Sequence, residues 1–271
     1  MPATGGASLT SSTPDALWSA PSLRVLRPSA VSCAGLRRGR ELDRCSLSVP
    51  VGARLLIVSE PDTSASTLLR VLAGLSRISR GEVRIAGSTD PTAAGWGLRM
   101  AYLGSESGLH TWMTPLETLH LAAGLLGLSN GERARRIDRA LTWTGITPGM
   151  AARAISRGGP ELEQRTGLAA ALIAEPEVLL LDEPLRAIEA TERARMLRLP
   201  GRRLTILLAS RYPASEVGLV AHVAYLRNGR IQFIAPIGDL DRAGLPLSHA
   251  GIAELGALMA AERRLRRDPP P

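Results

Sequence analysis

The residues of this chain with chemical potential gather where its apolar runs end. Arg54-Leu-Leu-Ile-Val58 is nearly continuous apolar sequence. The polar turn Ser59-Glu-Pro-Asp-Thr-Ser64 follows it, and Ala65-Ser66-Thr67 then opens an amphipathic stretch. A strand, a tight turn and a helix beginning Ser-Thr is the arrangement that cradles phosphate, because backbone N–H groups and a hydroxyl converge on the anion. Much later, Val178-Leu-Leu-Leu-Asp182 reads as a buried strand ending in a carboxylate, with Glu183 and Pro184 directly behind it. Other chemistry is excluded. All 33 basic residues are Arg, so there is no Schiff-base lysine, no lysine general base and no lysine to hold a phosphate. Cys33 and Cys45 are too few for a metal cluster or a disulfide framework. His110, His120, His222 and His249 show no metal-ligand spacing and read as ordinary surface or core residues.

The elements that must position these groups alternate. Strands are expected at Leu23–Leu26, Cys45–Val49 and Arg54–Val58, then a helix at Ala65–Leu75 with Leu68, Leu69, Leu72 and Leu75 at helical spacing. Short strands follow at Gly81–Gly87 and Arg99–Leu103. The pattern turns helical from 114 to 175, with helices at Pro115–Leu128, Asn130–Trp143 and Glu161–Ala174. Buried strands return at Val178–Asp182 and Arg203–Ala209, around a helix at Ala190–Leu199. A short helix at Ser215–Leu219, a hairpin of Val223–Leu226 and Arg230–Ile234 across Arg227-Asn-Gly229, and a mostly helical segment from 239 to 266 complete the chain. Strands alternating with helices mean α/β with a mainly parallel core.

Composition sets the context. At 271 residues, 45% hydrophobic and 21% charged, the chain resembles an ordinary globular protein. No stretch is long and apolar enough to span a membrane. Residues 1–22 are rich in Ser, Thr, Ala and Pro, without the basic start and apolar run of a signal peptide, and read as a disordered lead-in to a cytoplasmic protein. The net charge of +8 suits an anionic partner, but the arginines are scattered, so no nucleic acid is expected. The one dense basic run, Arg263-Arg264-Leu-Arg266-Arg267, reads as a solvated helix end or a contact for anionic lipid.

The order of these segments resembles the nucleotide-binding subunit of ATP-binding-cassette (ABC) transporters. The resemblance covers roughly residues 23–237. It is carried by Ser66-Thr-Leu-Leu-Arg-Val-Leu-Ala-Gly-Leu75, Gly81-Glu-Val-Arg-Ile-Ala-Gly87, the Gln164-Arg165 helix, Leu179-Leu-Leu-Asp-Glu-Pro184 and Val223-Ala-Tyr-Leu-Arg-Asn-Gly-Arg230. It implies a P-loop NTPase-like cassette: a mainly parallel α/β core sheet, an antiparallel β subdomain, an inserted helical subdomain over about 114–175, and a C-terminal extension over 238–271. It also implies ATP and Mg²⁺ as cofactors, Asp182 and Ser66 as Mg²⁺ positions, and Glu183 as the position of the general base.

Several other positions depart from the family pattern. The phosphate loop falls on Ser59-Glu-Pro-Asp-Thr-Ser64-Ala65-Ser66-Thr67. Its three glycines are replaced at Ser59, Asp62 and Ser64, and Ala65 stands where the phosphate-holding lysine belongs. Glu60 and Asp62 add negative charge; a carboxylate ~4 Å from a phosphate oxygen costs about 4 kcal/mol at an effective dielectric of ~20. Ser105 occupies the Mg²⁺-ligating glutamine position, and Arg211 that of the histidine that touches the γ-phosphate. No aromatic lies near Leu36 to stack on adenine. The signature reads Ile155-Ser156-Arg157-Gly158-Gly159, with extra residues before Gln164, and Glu189 replaces the Asp that ends the loop after the Asp-Glu pair.

In this family two subunits sandwich ATP between one phosphate loop and the partner's signature. The resemblance therefore implies a degenerate cassette that binds nucleotide weakly or not at all and does not hydrolyse it. It would pair as a heterodimer with a competent second nucleotide-binding subunit, lending Ser156, Gly158 and Gly159 to the partner's site. It would dock on a membrane permease at the inner face of the cell membrane, through the segment 104–120 with Leu109 and Trp112 as apolar anchors. The competing readings are an active ATPase with divergent motifs and a non-transport scaffold or regulator on the same fold.

Overall fold

The computed structural model describes residues 28–60, 63–89, 96–183, 185–198 and 203–267. The expected strand at Leu23–Leu26 and the positions of Asp62 and Pro184 lie outside them. In chain order the strands are β1 (Ser29–Arg38), β2 (Leu42–Pro50), β3 (Arg54–Glu60), β4 (Arg80–Ile85), β5 (Met100–Leu103), β6 (Val178–Asp182), β7 (Thr205–Ala209), β8 (His222–Arg227) and β9 (Arg230–Pro236). The helices are α1 (Thr63–Leu72), α2 (Trp96–Arg99), α3 (Pro115–Leu125), α4 (Asn130–Thr144), α5 (Pro148–Ala151), α6 (Gly159–Leu172), α7 (Ala190–Arg198), α8 (Ile237–Arg242) and α9 (His249–Arg267).

Two sheets carry the molecule. The larger runs β5-β6-β7-β3-β8-β9, parallel from β5 to β8 with β9 antiparallel at its edge. The smaller is antiparallel, in the order β2-β1-β4. β6 and β7 are buried along their whole length, as expected of strands covered on both faces by helices. Their continuous apolar sequences leave the chemistry to the residues just past their ends. Register places those ends together: Ile57 pairs with Ala209 and Asp182 pairs with Ala209. The loops after β3, β6 and β7 thus open at one edge of the sheet, the carboxyl edge where parallel sheets bind ligands.

β1 was not expected where it lies. Its register shifts between Cys33 and Leu36 and again between Leu36 and Arg37, which erases the period-2 pattern that marks a strand. The expected helix at Ser215–Leu219 is instead a 3₁₀ turn at Pro213–Glu216. Pro213 starts it two residues early, and Gly218, at φ +81°, ends any continuation. Helices α3 to α6 form the insert between β5 and β6. A reciprocal cap starts α3: Thr114 Oγ1 accepts from the Glu117 N–H at 3.1 Å, and Glu117 Oε2 accepts from the Thr114 N–H at 2.8 Å. Arg165 on α6 ties the insert to the core. Its guanidinium donates to the Thr144 carbonyl at 2.6 Å, to Glu161 at 2.9 Å and to Glu192 on α7 at 3.2 Å.

Candidate functional site

Ser59, Ala65, Ser66, Glu183 and Arg211 line one small pocket at the carboxyl edge of the sheet. Five of the residues expected from sequence are thus brought together, with β3, α1, β6 and β7 as their supports. Asp182 joins them through Ser66. The loop's polar groups are partnered in part: among the described residues the buried Ser64 hydroxyl has no hydrogen-bond partner, whereas Ser59 does. Ser59 is buried, and its hydroxyl accepts from the Ala65 backbone N–H at 3.0 Å. That N–H is one of those at the start of α1 available to an anion. Ser64 and Thr67 are buried as well. Glu60 does not bear on the loop as its sequence position suggested. Its carboxylate lies 3.5 Å from the Arg227 guanidinium, directed toward β8, so the expected repulsion of a phosphate is largely neutralised there. Leu36, at the place of the absent adenine-stacking aromatic, is fully buried.

Asp182 is 3% exposed, and each of its carboxylate oxygens accepts a hydrogen bond. Ser66 Oγ donates to Oδ1 at 2.6 Å, and the Tyr102 hydroxyl donates to Oδ2 at 2.9 Å. The Arg70 guanidinium lies against Tyr102 and within electrostatic reach of Asp182, which together hold the guanidinium's pKa above its usual value. Burial pushes the Tyr102 phenol up. Glu183 has φ +54°, a backbone conformation that costs a residue with a Cβ about 1 kcal/mol. The Glu183 N–H donates to the Ala209 carbonyl at 3.0 Å, which holds that conformation. Both carboxylate oxygens are engaged. The Arg211 backbone N–H and its Nε, at 3.3 Å, donate to Oε1, and Arg186 donates to Oε2 at 3.4 Å.

Ser105 faces a separate cavity of about 160 Å³ beside Glu163, Gln164 and Glu183. Gln164 Oε1 accepts from the Ala187 N–H at 2.7 Å. Ser156, Gly158 and Gly159 do not line either cavity. They lie at the start of α6, with Ser156 exposed and its N–H bonded to the Thr111 carbonyl at 2.8 Å. A Cβ on Gly158 would stand 2.2 Å from Leu162 Cδ2, so this position admits only glycine. Trp112 is 74% exposed and stacks on His110 at 5.7 Å between ring centroids.

Sequence reasoning missed three participants. His249, read as an ordinary residue, lines the first pocket, and its Nε2 lies 3.1 Å from the Arg211 carbonyl. A carbonyl only accepts, so that nitrogen carries the proton. Tyr102 and Arg186 donate to the two carboxylates. Only Tyr102 carried a signal, as the neighbour of the position held by Ser105.

The arrangement answers differently for phosphate and for a cation. For phosphate the donors fit: Ser59, Ser66, Arg211 and His249 all present N–H or O–H groups at the pocket. The enclosed space is about 10 Å³, room for about one water or one oxygen of a phosphate. For Mg²⁺ the Asp182 carboxylate and the Ser66 hydroxyl supply oxygens of the right kind, each keeping lone pairs beyond the hydrogen bond it makes, while Arg70 adds positive charge near them.

Comparison with known proteins converges on one family. The family model described as ABC transporter matches residues 42–186, just over half of the chain. The aliphatic sulfonates import ATP-binding protein SsuB 1 of Mesorhizobium japonicum is 32% identical over 227 residues, 80% of this chain and 79% of that protein. The taurine import ATP-binding protein TauB of Pseudomonas aeruginosa is 32% identical over 174 residues, 63% of this chain and 65% of the length of that protein. Among solved structures, an ATP-binding subunit of an ABC transporter superposes with a TM-score of 0.71 at 22% identity, covering 86% of this chain and 100% of that one. The cbiO1 protein from Clostridium perfringens gives a TM-score of 0.70 at 17% identity, covering 86% of this chain and 99% of that one. Among the described residues no helix is long and apolar enough to cross a membrane. Matched segment, identity and fold agree: the chain belongs to the ABC transporter family and to its ATP-binding subunits.

Proposed function

We propose that this chain is the degenerate member of an ABC transporter's pair of nucleotide-binding subunits. Its own phosphate loop binds nucleotide weakly and does not hydrolyse it. A competent second subunit supplies turnover and receives Ser156, Gly158 and Gly159 from this chain. The complex sits under a membrane permease at the inner face of the membrane, and the import proteins among its relatives favour uptake as the direction. The exposed apolar residues Trp112, Leu116, Leu121 and Leu125 around α3 offer the permease a docking face.

One observation carries this reading: each of the four oxygens of Asp182 and Glu183 already accepts a hydrogen bond from this chain's own donors. A general base must be free to accept a proton from water. Glu183 is held between Arg186 and Arg211, and a water must compete with those donors for it. With Ala65 at the lysine position, the attraction that would pull these pairs apart is missing.

The experiment is turnover by the purified full chain at saturating Mg-ATP, alone and with the membrane complex it co-purifies with. The chain alone is expected to release no phosphate above the buffer rate, and a permease is expected in the complex. Turnover by the chain alone that Glu183→Gln abolishes overturns the degenerate reading in favour of an active ATPase with divergent motifs. A chain that co-purifies with no membrane protein overturns the transport reading.

A further inference from the structure

Arginines that are scattered in the sequence gather at one end of the antiparallel sheet. β1 ends there at Arg38, and β2 and β4 begin there at Leu42 and Arg80. Asp43 on β2 is shared by three guanidiniums. Arg37 lies 3.5 Å from its Oδ1, Arg44 lies 3.8 Å from its Oδ2, and Arg230 Nε donates to Oδ2 at 3.0 Å. The Arg230 hydrogen bond, with the charges of Arg44 and Arg37, holds the Asp43 carboxyl below its usual value. Arg230 follows the β8–β9 turn, which is fixed against β2: the Asp43 N–H donates to the Gly229 carbonyl at 3.0 Å. A Cβ on Gly229 would stand 2.5 Å from the Asp43 nitrogen, so this close approach requires glycine. Arg80 stands opposite Arg37 in register, and Arg38 donates to the Arg77 carbonyl at 2.7 Å. Arg40 is exposed in the turn between β1 and β2.

We propose that this end of the antiparallel sheet is a docking face for an acidic polypeptide segment of a partner protein. Seven arginines stand there against two carboxylates, Glu41 and Asp43, an excess of five positive charges in a chain whose net charge is +8. Among the described residues Arg40, Arg77 and Arg80 pair with no carboxylate. At the rim, Arg227 and Arg84 are balanced by Glu60 and Glu82, 3.5 and 2.8 Å away. The face already seats one carboxylate among three guanidiniums. Each guanidinium carries five N–H donors, so donors remain for further carboxylates, which Arg binds in a fork. Leu75, two residues before Arg77, is 64% exposed and offers an apolar contact beside the charges. The face does not suit nucleic acid. No Phe, Tyr or Trp occurs from residue 19 to 95, and Tyr225 and Phe233 on the neighbouring strands are buried, so nothing stacks a base. Asp43 also repels a backbone of uniform negative charge. One exposed leucine is too little apolar surface to enter a bilayer.

This proposal does not depend on nucleotide, so its test leaves ATP out. Fluorescence anisotropy of a labelled peptide of repeated Glu-Glu-Leu, titrated with the full chain, reads binding directly. Wild type is expected to bind it, more weakly as salt rises and screens the ion pairs. The same peptide with Gln in place of Glu is expected not to bind. Arg77→Glu combined with Arg80→Glu is expected to weaken binding about tenfold, through exposed ion pairs lost and repulsions gained. Arg77→Gln combined with Arg80→Gln, which adds no charge, is expected to weaken it about threefold. Arg263→Glu combined with Arg264→Glu on α9 changes the net charge as much as the first pair. It is expected to alter affinity less than about twofold, because those charges lie on a different element and are screened. Equal loss from the two Glu pairs overturns the assignment, since net charge alone then explains binding. A wild type that does not bind, or that binds the Gln peptide equally, overturns it too. Tighter binding of single-stranded DNA of the same length, or of phosphatidylcholine vesicles containing phosphatidylglycerol, gives the face to another polyanion and overturns the peptide partner.

Discussion

The end of β6 and the loop after β3 face each other across one pocket, and they depart from the family pattern by opposite routes. The strand end keeps Asp182 and Glu183, the residues its family uses, but every carboxylate oxygen already accepts from an internal donor. The loop has changed its residues, with Ser59, Ser64 and Ala65 in place of glycines and lysine, yet it keeps the strand-turn-helix path and the helix start. Its Ser59 hydroxyl takes up the Ala65 N–H that the new residues no longer aim at a ligand. Availability and identity are therefore separate properties of a site. Pairing can be undone by a ligand or a single substitution; replacement cannot.

The largest expected effect tests the strand end. Asp182→Ala removes the acceptor of both Ser66 Oγ and Tyr102 Oη and leaves two donors unpaired at a buried place. It is expected to destabilise the chain by about 2–3 kcal/mol, seen as a lower midpoint in urea unfolding with an unchanged slope. A cost below about 1 kcal/mol would break the comparison, because the carboxylate would then be poorly suited to the pairing that engages it.

The framework of this site was legible because it rests on local, strongly patterned sequence. The apolar runs of β3, β6 and β7 announce buried parallel strands, and Asp182-Glu183 and Ser66-Thr67 stand at their ends. What was not legible is pairing between distant segments. Tyr102 reaches Asp182 only because β5 lies beside β6 in register, Leu103 opposite Leu181. Arg186 reaches Glu183 because Glu183 and Leu185 both adopt positive φ, +54° and +59°, a path that no local pattern encodes. His249 arrives at Arg211 through the docking of a whole helix, and its neighbours in sequence carry no trace of that destination. β1 escaped for a different reason: its bulges break the alternation that identifies a strand.

A smaller effect is expected on the loop side. Ser59→Ala removes one acceptor from one backbone N–H and leaves no side-chain donor stranded. It should cost about 1 kcal/mol in the same urea experiment, less than Asp182→Ala. A cost equal to that of Asp182→Ala would show that the loop is held as firmly as the strand end, and the distinction between replaced and paired halves would lose its energetic content. The same substitution leaves the buried Ala65 N–H without its acceptor at the pocket, so weaker unfolding resistance should accompany unchanged or tighter binding of ATP.

The smallest effect is a single proton at the strand end. Burial pushes the Tyr102 phenol above its ordinary value of 10.0, and the Asp182 charge adds to this while Arg70 opposes it. The folded state thus keeps a proton that the unfolded chain releases. This contribution is fully present below about pH 10 and is lost as pH rises through the folded value. Tyr102→Phe removes the titrating group, so its thermal midpoint should decline less steeply than wild type between about pH 9 and 11.5. The decline should not vanish, because burial pushes the Tyr225 phenol to about 12 and that group titrates into the same window. Ser59→Ala removes no ionisable group, so its curve should run parallel to wild type, displaced downward. If Tyr102→Phe also runs parallel, the Tyr102 proton is not coupled to folding. The hydrogen bond to Asp182 would then be a contact of the strand end that contributes nothing to how firmly its carboxylate is held.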